Sequence, residues 1–110
     1  MAVAADRRGL TITFENPLPD GRQSVDFTAE YLRVESPSAE VQGHGPGQKR
    51  LVRGKEEVAI ASLDPIGHYA VRIGFSDGHS SGLYTWETFQ TLALEHQERW
   101  AAYQAATQSS

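Results

Sequence analysis

The sequence contains no cysteine. That absence excludes disulfides, thiolate zinc sites, thiolate-ligated iron–sulfur clusters and cysteine nucleophiles. Long apolar runs are missing too. The longest N-terminal one is Ala2-Val3-Ala4-Ala5, stopped at once by Asp6, Arg7 and Arg8. A secretion signal needs an apolar region of roughly 7–15 residues, and a membrane span needs about 20. A cytoplasmic setting without membrane association is the expectation.

Positive charge is scarce. Ten Lys/Arg stand against 14 Asp/Glu, a net charge of −4. Residues 1–55 carry +1 and residues 56–110 carry −5. The basic residues concentrate in Lys49, Arg50, Arg53 and Lys55, a run best read as a solvated loop. An acidic chain with no other basic cluster lacks the footprint of a nucleic-acid binder. No serine lies in a Gly-x-Ser-x-Gly setting, and spacing offers no Ser–His–Asp arrangement. A hydrolase is therefore not expected.

The 110 residues suit one domain able to bury about two-thirds of its unfolded surface. They are too few for an oxygenase barrel, a kinase, or a doubly wound dinucleotide-binding domain with its substrate domain. Residues 1–8 read as a flexible arm, 9–106 as the domain and 107–110 as a frayed tail.

Leu10-Thr11-Ile12-Thr13-Phe14 alternates with the period of a half-buried strand. A turn cluster around Asp20-Gly21 returns the chain as a second strand over 22–27. Thr28 suits an N-cap, with Glu30 in the first helical turn. Pro37 stops that short helix. Residues 57–63 read as a strand, followed by a turn at Asp64-Pro65-Ile66-Gly67. Tyr69, Val71, Ile73 and Phe75 then alternate into Asp77-Gly78, a dipeptide favoured in two-residue type I′ turns. This register sets Tyr84 opposite Val71 and Trp86 near Tyr69, an aromatic cluster on the buried face. Thr85 can cap a long helix from Trp86 to about Ala105. Its stripe is Trp86, Phe89, Leu92, Ala93, His96, Trp100 and Tyr103. The fold class is α+β: a twisted antiparallel sheet packed by a C-terminal helix, with a short helix and a glycine-rich loop.

The four histidines bear on chemistry differently. His96 and Glu98 lie two apart on a helix and point in different directions, so they cannot chelate; His96 reads as a partly buried helix residue. His68 begins a strand and carries no clear role. His44 sits in Gly43-His44-Gly45-Pro46-Gly47-Gln48, whose glycines allow an anion nest but lack the Gly-Lys-Ser/Thr ending of a phosphate loop. Asp77-Gly78-His79 brings an acid and an imidazole together in a turn, where they can share a proton or a metal, or simply serve the turn.

Several stretches together are more specific than any single motif. Tyr31-Leu32-Arg33-Val34 leads into Ser36-Pro37-Ser38-Ala39-Glu40-Val41 and the glycine-rich loop. Gly67-His68-Tyr69-Ala70-Val71, Phe75-Ser76-Asp77-Gly78-His79 and Gly82-Leu83-Tyr84-Thr85-Trp86 follow. Over roughly Leu10 to Tyr103 this resembles the bacterial family once called domain of unknown function 971. That family is similar to the N-terminal domain of gamma-butyrobetaine hydroxylase. In those hydroxylases the domain is an accessory, zinc-binding module beside the catalytic barrel. Three cysteines after a Leu-Arg pair and a histidine in an Asp-x-His turn hold the zinc. Carried over, Leu32-Arg33 is the pair, His79 is the histidine, and the cysteine positions fall at Ser36, Ser38 and Val41. A neutral hydroxyl is a poor zinc ligand and valine is none. The resemblance implies the fold and argues against the zinc, leaving His79 as a weak metal candidate. A related domain is appended to some nucleotide-binding iron–sulfur carriers, which implies a role in assembly.

The expectation is a non-catalytic accessory or protein-interaction module with no cofactor. Its partner is another protein or a second copy, through Arg33, Glu40, His44, Gln48, Asp77 and His79. The alternatives are a small ligand, anion or metal held by the glycine loop and the Asp-Gly-His turn, and a helper in iron–sulfur protein assembly.

Overall fold

The computed structural model describes residues 1–43 and 51–108. Two three-stranded antiparallel sheets share one core, so the α+β expectation holds with the strands divided between two sheets. The first has the order β1 (Ala2–Val3), β2 (Gly9–Thr13), β3 (Ser24–Thr28). The second has the order β4 (Ile60–Ile66), β5 (Ala70–Phe75), β6 (Gly82–Thr85). Helices α1 (Ala29–Val34) and α2 (Ala39–Gln42) lie between the sheets in sequence; α3 (Trp86–Leu94) and α4 (His96–Gln108) follow them.

In β2 and β3 the alternation works as read. Leu10, Ile12, Val25 and Phe27 are buried while Thr13, Ser24, Asp26 and Thr28 face water. The first eight residues are not wholly a free arm: Ala2 and Val3 pair with Thr11 and Leu10. Thr28 caps α1, its hydroxyl accepting from the Tyr31 N–H. Thr85 likewise caps α3 by accepting from the Thr88 N–H.

Three expectations are corrected. The strand read over 57–63 lies at 60–66 and includes Pro65, opposite Val71. Proline is tolerated there because β4 is an edge strand and needs no outward N–H. The turn after Phe75 is not type I′, which requires a positive φ at two consecutive residues. Gly78 has φ 92°, whereas Asp77 is not among the positive-φ residues. The Gly78 N–H donates to the Phe75 carbonyl, and the Phe75 N–H donates to the His79 carbonyl. That is a three-residue loop with a glycine bulge. The Val71–Tyr84 pairing nevertheless stands as read. Finally, the long helix is broken at Glu95, and two residues of its stripe, Trp86 and His96, emerge. His96 is exposed, though its ring packs edge-on against Tyr31 at 4.5 Å between centroids. Tyr69 is 59% exposed, outside the aromatic cluster.

Phe89 stands at the centre of the core. Its ring centroid lies 5.6 Å from Phe27 of the first sheet and 5.6 Å from Tyr84 of the second. The Tyr31 hydroxyl donates to the Leu92 carbonyl at 2.6 Å, and the Tyr84 hydroxyl donates to the Leu32 carbonyl. Burial pushes both phenols well above the ordinary tyrosine range, keeping them as protonated donors. Arg99 of α4 pairs with the buried Glu35 carboxylate at 2.6 Å. These bonds fix α1 and the chain after it against the helices, and so place residues 33–42 over the second hairpin.

Candidate functional site

Pro37 ends α1 and Ser38 starts α2, so residues 35–38 form a tight corner. Ser38 caps α2 by accepting from the Glu40 N–H at 3.2 Å. This corner rests on the hairpin loop that follows β5. The chain approaches closely there: a Cβ on Gly82 would stand 2.5 Å from Ser36 Oγ, so only glycine leaves room for that hydroxyl.

His79 links the two segments. Its side chain is only 3% exposed. Its Nδ1 lies 2.9 Å from Glu40 Oε2, and its Nε2 lies 2.9 Å from Ser36 Oγ. An ionised carboxylate can only accept, so Nδ1 carries the proton in this pair. In the neutral ring Nε2 then accepts from the Ser36 hydroxyl. The Ser36 oxygen in turn accepts from the Ser38 N–H at 3.3 Å. Around this chain, the Ser38 and Ser81 hydroxyls share a 2.6 Å bond, and the Gln42 side-chain amide donates to the Ser36 carbonyl at 2.8 Å.

Asp77 forms a second, adjoining group. Its Oδ1 accepts from the His79 N–H at 3.1 Å, a local turn contact. Its Oδ2 accepts from Arg33 Nε at 2.8 Å and from Lys55 Nζ at 2.7 Å. Burial alone would raise the Asp77 pKa, but the hydrogen bonds from Lys55, the His79 backbone and Arg33 outweigh it and hold it at about 2. Arg33 Nη1 is buried and, among the described residues, has no hydrogen-bond partner.

The residues named from the sequence thus divide cleanly. Arg33, Glu40, Asp77 and His79 come together, and Ser36 and Ser38 stand with them, while Val41 is buried. His44 and Gln48 lie outside the described residues. His68 sits in the β4–β5 turn, where its carbonyl accepts from the Trp86 indole N–H at 2.8 Å. Sequence reasoning missed Lys55, Ser81 and Gln42. The basic run looked like solvated charge, yet Lys55 reaches Asp77, and Arg53 reaches the Ala106 and Thr107 carbonyls at the end of α4. Cations are favoured at that helix end, which is the signal that could have placed Arg53.

Comparison with known proteins decides the lineage. Residues 1–90 match the family model described as gamma-butyrobetaine hydroxylase-like, N-terminal. This chain belongs to that family. Solved structures agree with the assignment. One described as an NMR solution structure is 39% identical, covering 98% of this chain and 76% of its own, with a TM-score of 0.78. A second, also described as an NMR solution structure, is 47% identical over 81% of this chain and 70% of its own, with a TM-score of 0.68. A crystal structure from Acidithiobacillus ferrooxidans is described as a protein of unknown function in the domain of unknown function 971 family. It is 35% identical over 81% of this chain and 96% of its own, with a TM-score of 0.52. No curated protein matches the chain. Among the described residues of this gamma-butyrobetaine hydroxylase-like domain, no helix is long and apolar enough to cross a membrane.

Proposed function

We propose that this domain is a non-catalytic accessory module that works by binding another protein or a second copy of itself. One observation carries the reading: its polar cluster is committed inward. Both ring nitrogens of His79 and both carboxylate oxygens of Asp77 have partners within the chain. The Ser36 hydroxyl resembles a nucleophile hydrogen-bonded to a base, but Ser36 is 0% exposed. A nucleophile must reach its substrate, so this Ser–His–Glu chain supports the fold rather than turnover.

The zinc implied by the hydroxylase relatives does not suit these residues. Where a metal would meet Nε2, a hydroxyl occupies the position at 2.9 Å. Ser38 is bonded to Ser81, and Val41 offers no donor atom. Among the described residues, no three His, Cys, Asp or Glu side chains are grouped to hold a metal ion. The site reads as a zinc pocket that has lost its thiolates and replaced the metal with hydrogen bonds.

Affinity capture from the native host, together with light scattering of the purified chain, tests the module reading. A reproducible partner or a homodimer is expected. Finding neither, or finding turnover by the purified chain, overturns it. Capture of an iron–sulfur carrier would bring the assembly role implied by the family resemblance to this chain.

A second reading, a small-anion site, draws on Arg33. Two cations meet one carboxylate at Asp77, and among the described residues Arg33 Nη1 is left without a partner. Calorimetric titration with inorganic phosphate tests it: saturable heat lost in Arg33→Gln supports an anion site, and an absence of heat removes it.

A further inference from the structure

A separate concave site lies away from the polar cluster, where the two sheets and α3 meet. Its volume is about 450 Å³, and Phe14, Glu15, Asn16, His68, Trp86 and Gln90 line it. Small-ligand and side-chain pockets are commonly of this size, apolar with a few placed polar groups. The wall is partly rigid. The Trp86 indole is held by its bond to the His68 carbonyl, and its ring lies 5.9 Å from that of Phe89. Yet Trp86 remains 39% exposed, and Tyr69, next to His68, is 59% exposed. Aromatic rings left in water beside a groove are the residue types that anchor interfaces.

The charge of the groove selects its occupant. Glu15 is the only Asp, Glu, Lys or Arg among the lining residues, and among the described residues it has no ion-pair partner. Asn16 and Gln90 add amide oxygens that can accept. The positive end of α3 begins at Trp86, but Glu87 in the first turn answers it. An aromatic face beside an unpaired carboxylate favours a cation, and a guanidinium more than an ammonium. Its plane stacks on an indole while its N–H groups match a carboxylate.

We infer that this groove receives an arginine side chain of a partner protein, stacked on Trp86 and paired with Glu15. This rests on the reading of the domain as an interaction module and names the surface and the chemistry it recognises. The polar cluster of Arg33, Asp77 and His79 then serves to hold the fold, and recognition occurs elsewhere.

The probe is N-acetyl-arginine methylamide, with N-acetyl-leucine methylamide as control. Both are titrated into the ¹⁵N-labelled full chain, and the indole resonance of Trp86 and the amide resonances of Gln90 are followed. The arginine probe should shift them saturably and the leucine probe should not. Glu15→Gln, an exposed substitution that spares the fold, should weaken binding by about threefold, the effect of one solvent-exposed ion pair. Equal shifts from both probes, no saturable shift, or an unchanged affinity in Glu15→Gln would overturn the assignment. Capture from the native host with both baits separates the two ideas. A partner held equally by wild type and Glu15→Gln refutes the groove and leaves the module reading intact. A homodimer dispersed by Glu15→Gln overturns the choice of a foreign partner. The absence of both capture by wild type and a homodimer, alongside saturable arginine binding, refutes the module reading but not the groove chemistry.

Discussion

A Cβ on Gly82 would stand 2.5 Å from Ser36 Oγ, inside the closest approach real side chains make. Ser36 is fully buried and cannot swing aside. Gly82→Ala should therefore destabilise the domain by about 1–3 kcal/mol, the usual range for overpacking. The double variant Ser36→Ala/Gly82→Ala should recover part of the loss, because the clashing hydroxyl is gone. Urea unfolding of the four-member cycle measures the coupling. Strict additivity would mean the two residues do not compete for this space.

Asp77 gives the domain an acid-sensitive contact. Its folded pKa of about 2 lies below the ordinary aspartate value of 3.8. A depressed carboxylate contributes stability that is present above the unfolded pKa and is lost as pH falls through the folded one. The window is therefore pH 4 down to 2, and the contribution at neutral pH is on the order of 2 kcal/mol. Asp77→Asn should lower stability at pH 7 by a similar amount and flatten the pH dependence across that window. Thermal unfolding at several pH values checks both effects. A variant that keeps the wild-type slope would assign the acid sensitivity to another carboxylate.

Zinc provides a third test. The wild-type chain should take up no stoichiometric Zn²⁺ in competition with a chelator dye. Ser36→Cys/Ser38→Cys/Val41→Cys should bind it, with charge-transfer absorption when Co²⁺ is substituted. Tight Zn²⁺ binding by wild type, abolished in His79→Ala, would show that hydroxyls suffice and that the pocket kept its metal.

The start of α3 depends on one hydroxyl. Thr85 Oγ1 accepts from the Thr88 N–H at 3.0 Å. Thr85→Ala should cost about 1 kcal/mol, the typical loss of an N-cap. Thr85→Ser should be close to neutral. Equal losses for both substitutions would point to the threonine methyl group instead.

Much of this was legible in the sequence because it is local. Alternation over Leu10–Phe14, the caps at Thr28 and Thr85, and the Val71–Tyr84 register all follow from neighbouring residues. The family resemblance points to Arg33 and His79, the Asp-Gly-His turn points to Asp77, and Glu40 is a candidate contact residue; the structure joins all four. Lys55 was missed because a lysine in a basic run looks the same whether solvated or paired. Its partner lies 22 positions on, at Asp77. The loop after Phe75 was misjudged because Asp-Gly serves both two-residue turns and three-residue bulged loops, and only the φ of Asp77 separates them. The break at Glu95 has no proline or glycine to announce it. The aromatic groove left no pattern at all, since Glu15, His68 and Trp86 belong to three distant segments.

The bonds around His79 and Asp77 also bear on how the chain reaches its fold. Ser36–His79 and Arg33–Asp77 span 43 and 44 positions, and Tyr31–Leu92 spans 61. Contacts this distant form only after the intervening chain has closed, and that closure costs entropy before any bond repays it. The hairpins and caps can form earlier. Substitutions in the polar cluster should then leave the refolding rate nearly unchanged and speed unfolding. A chevron plot for Ser36→Ala in which the refolding limb carries the whole effect would reverse that order of events.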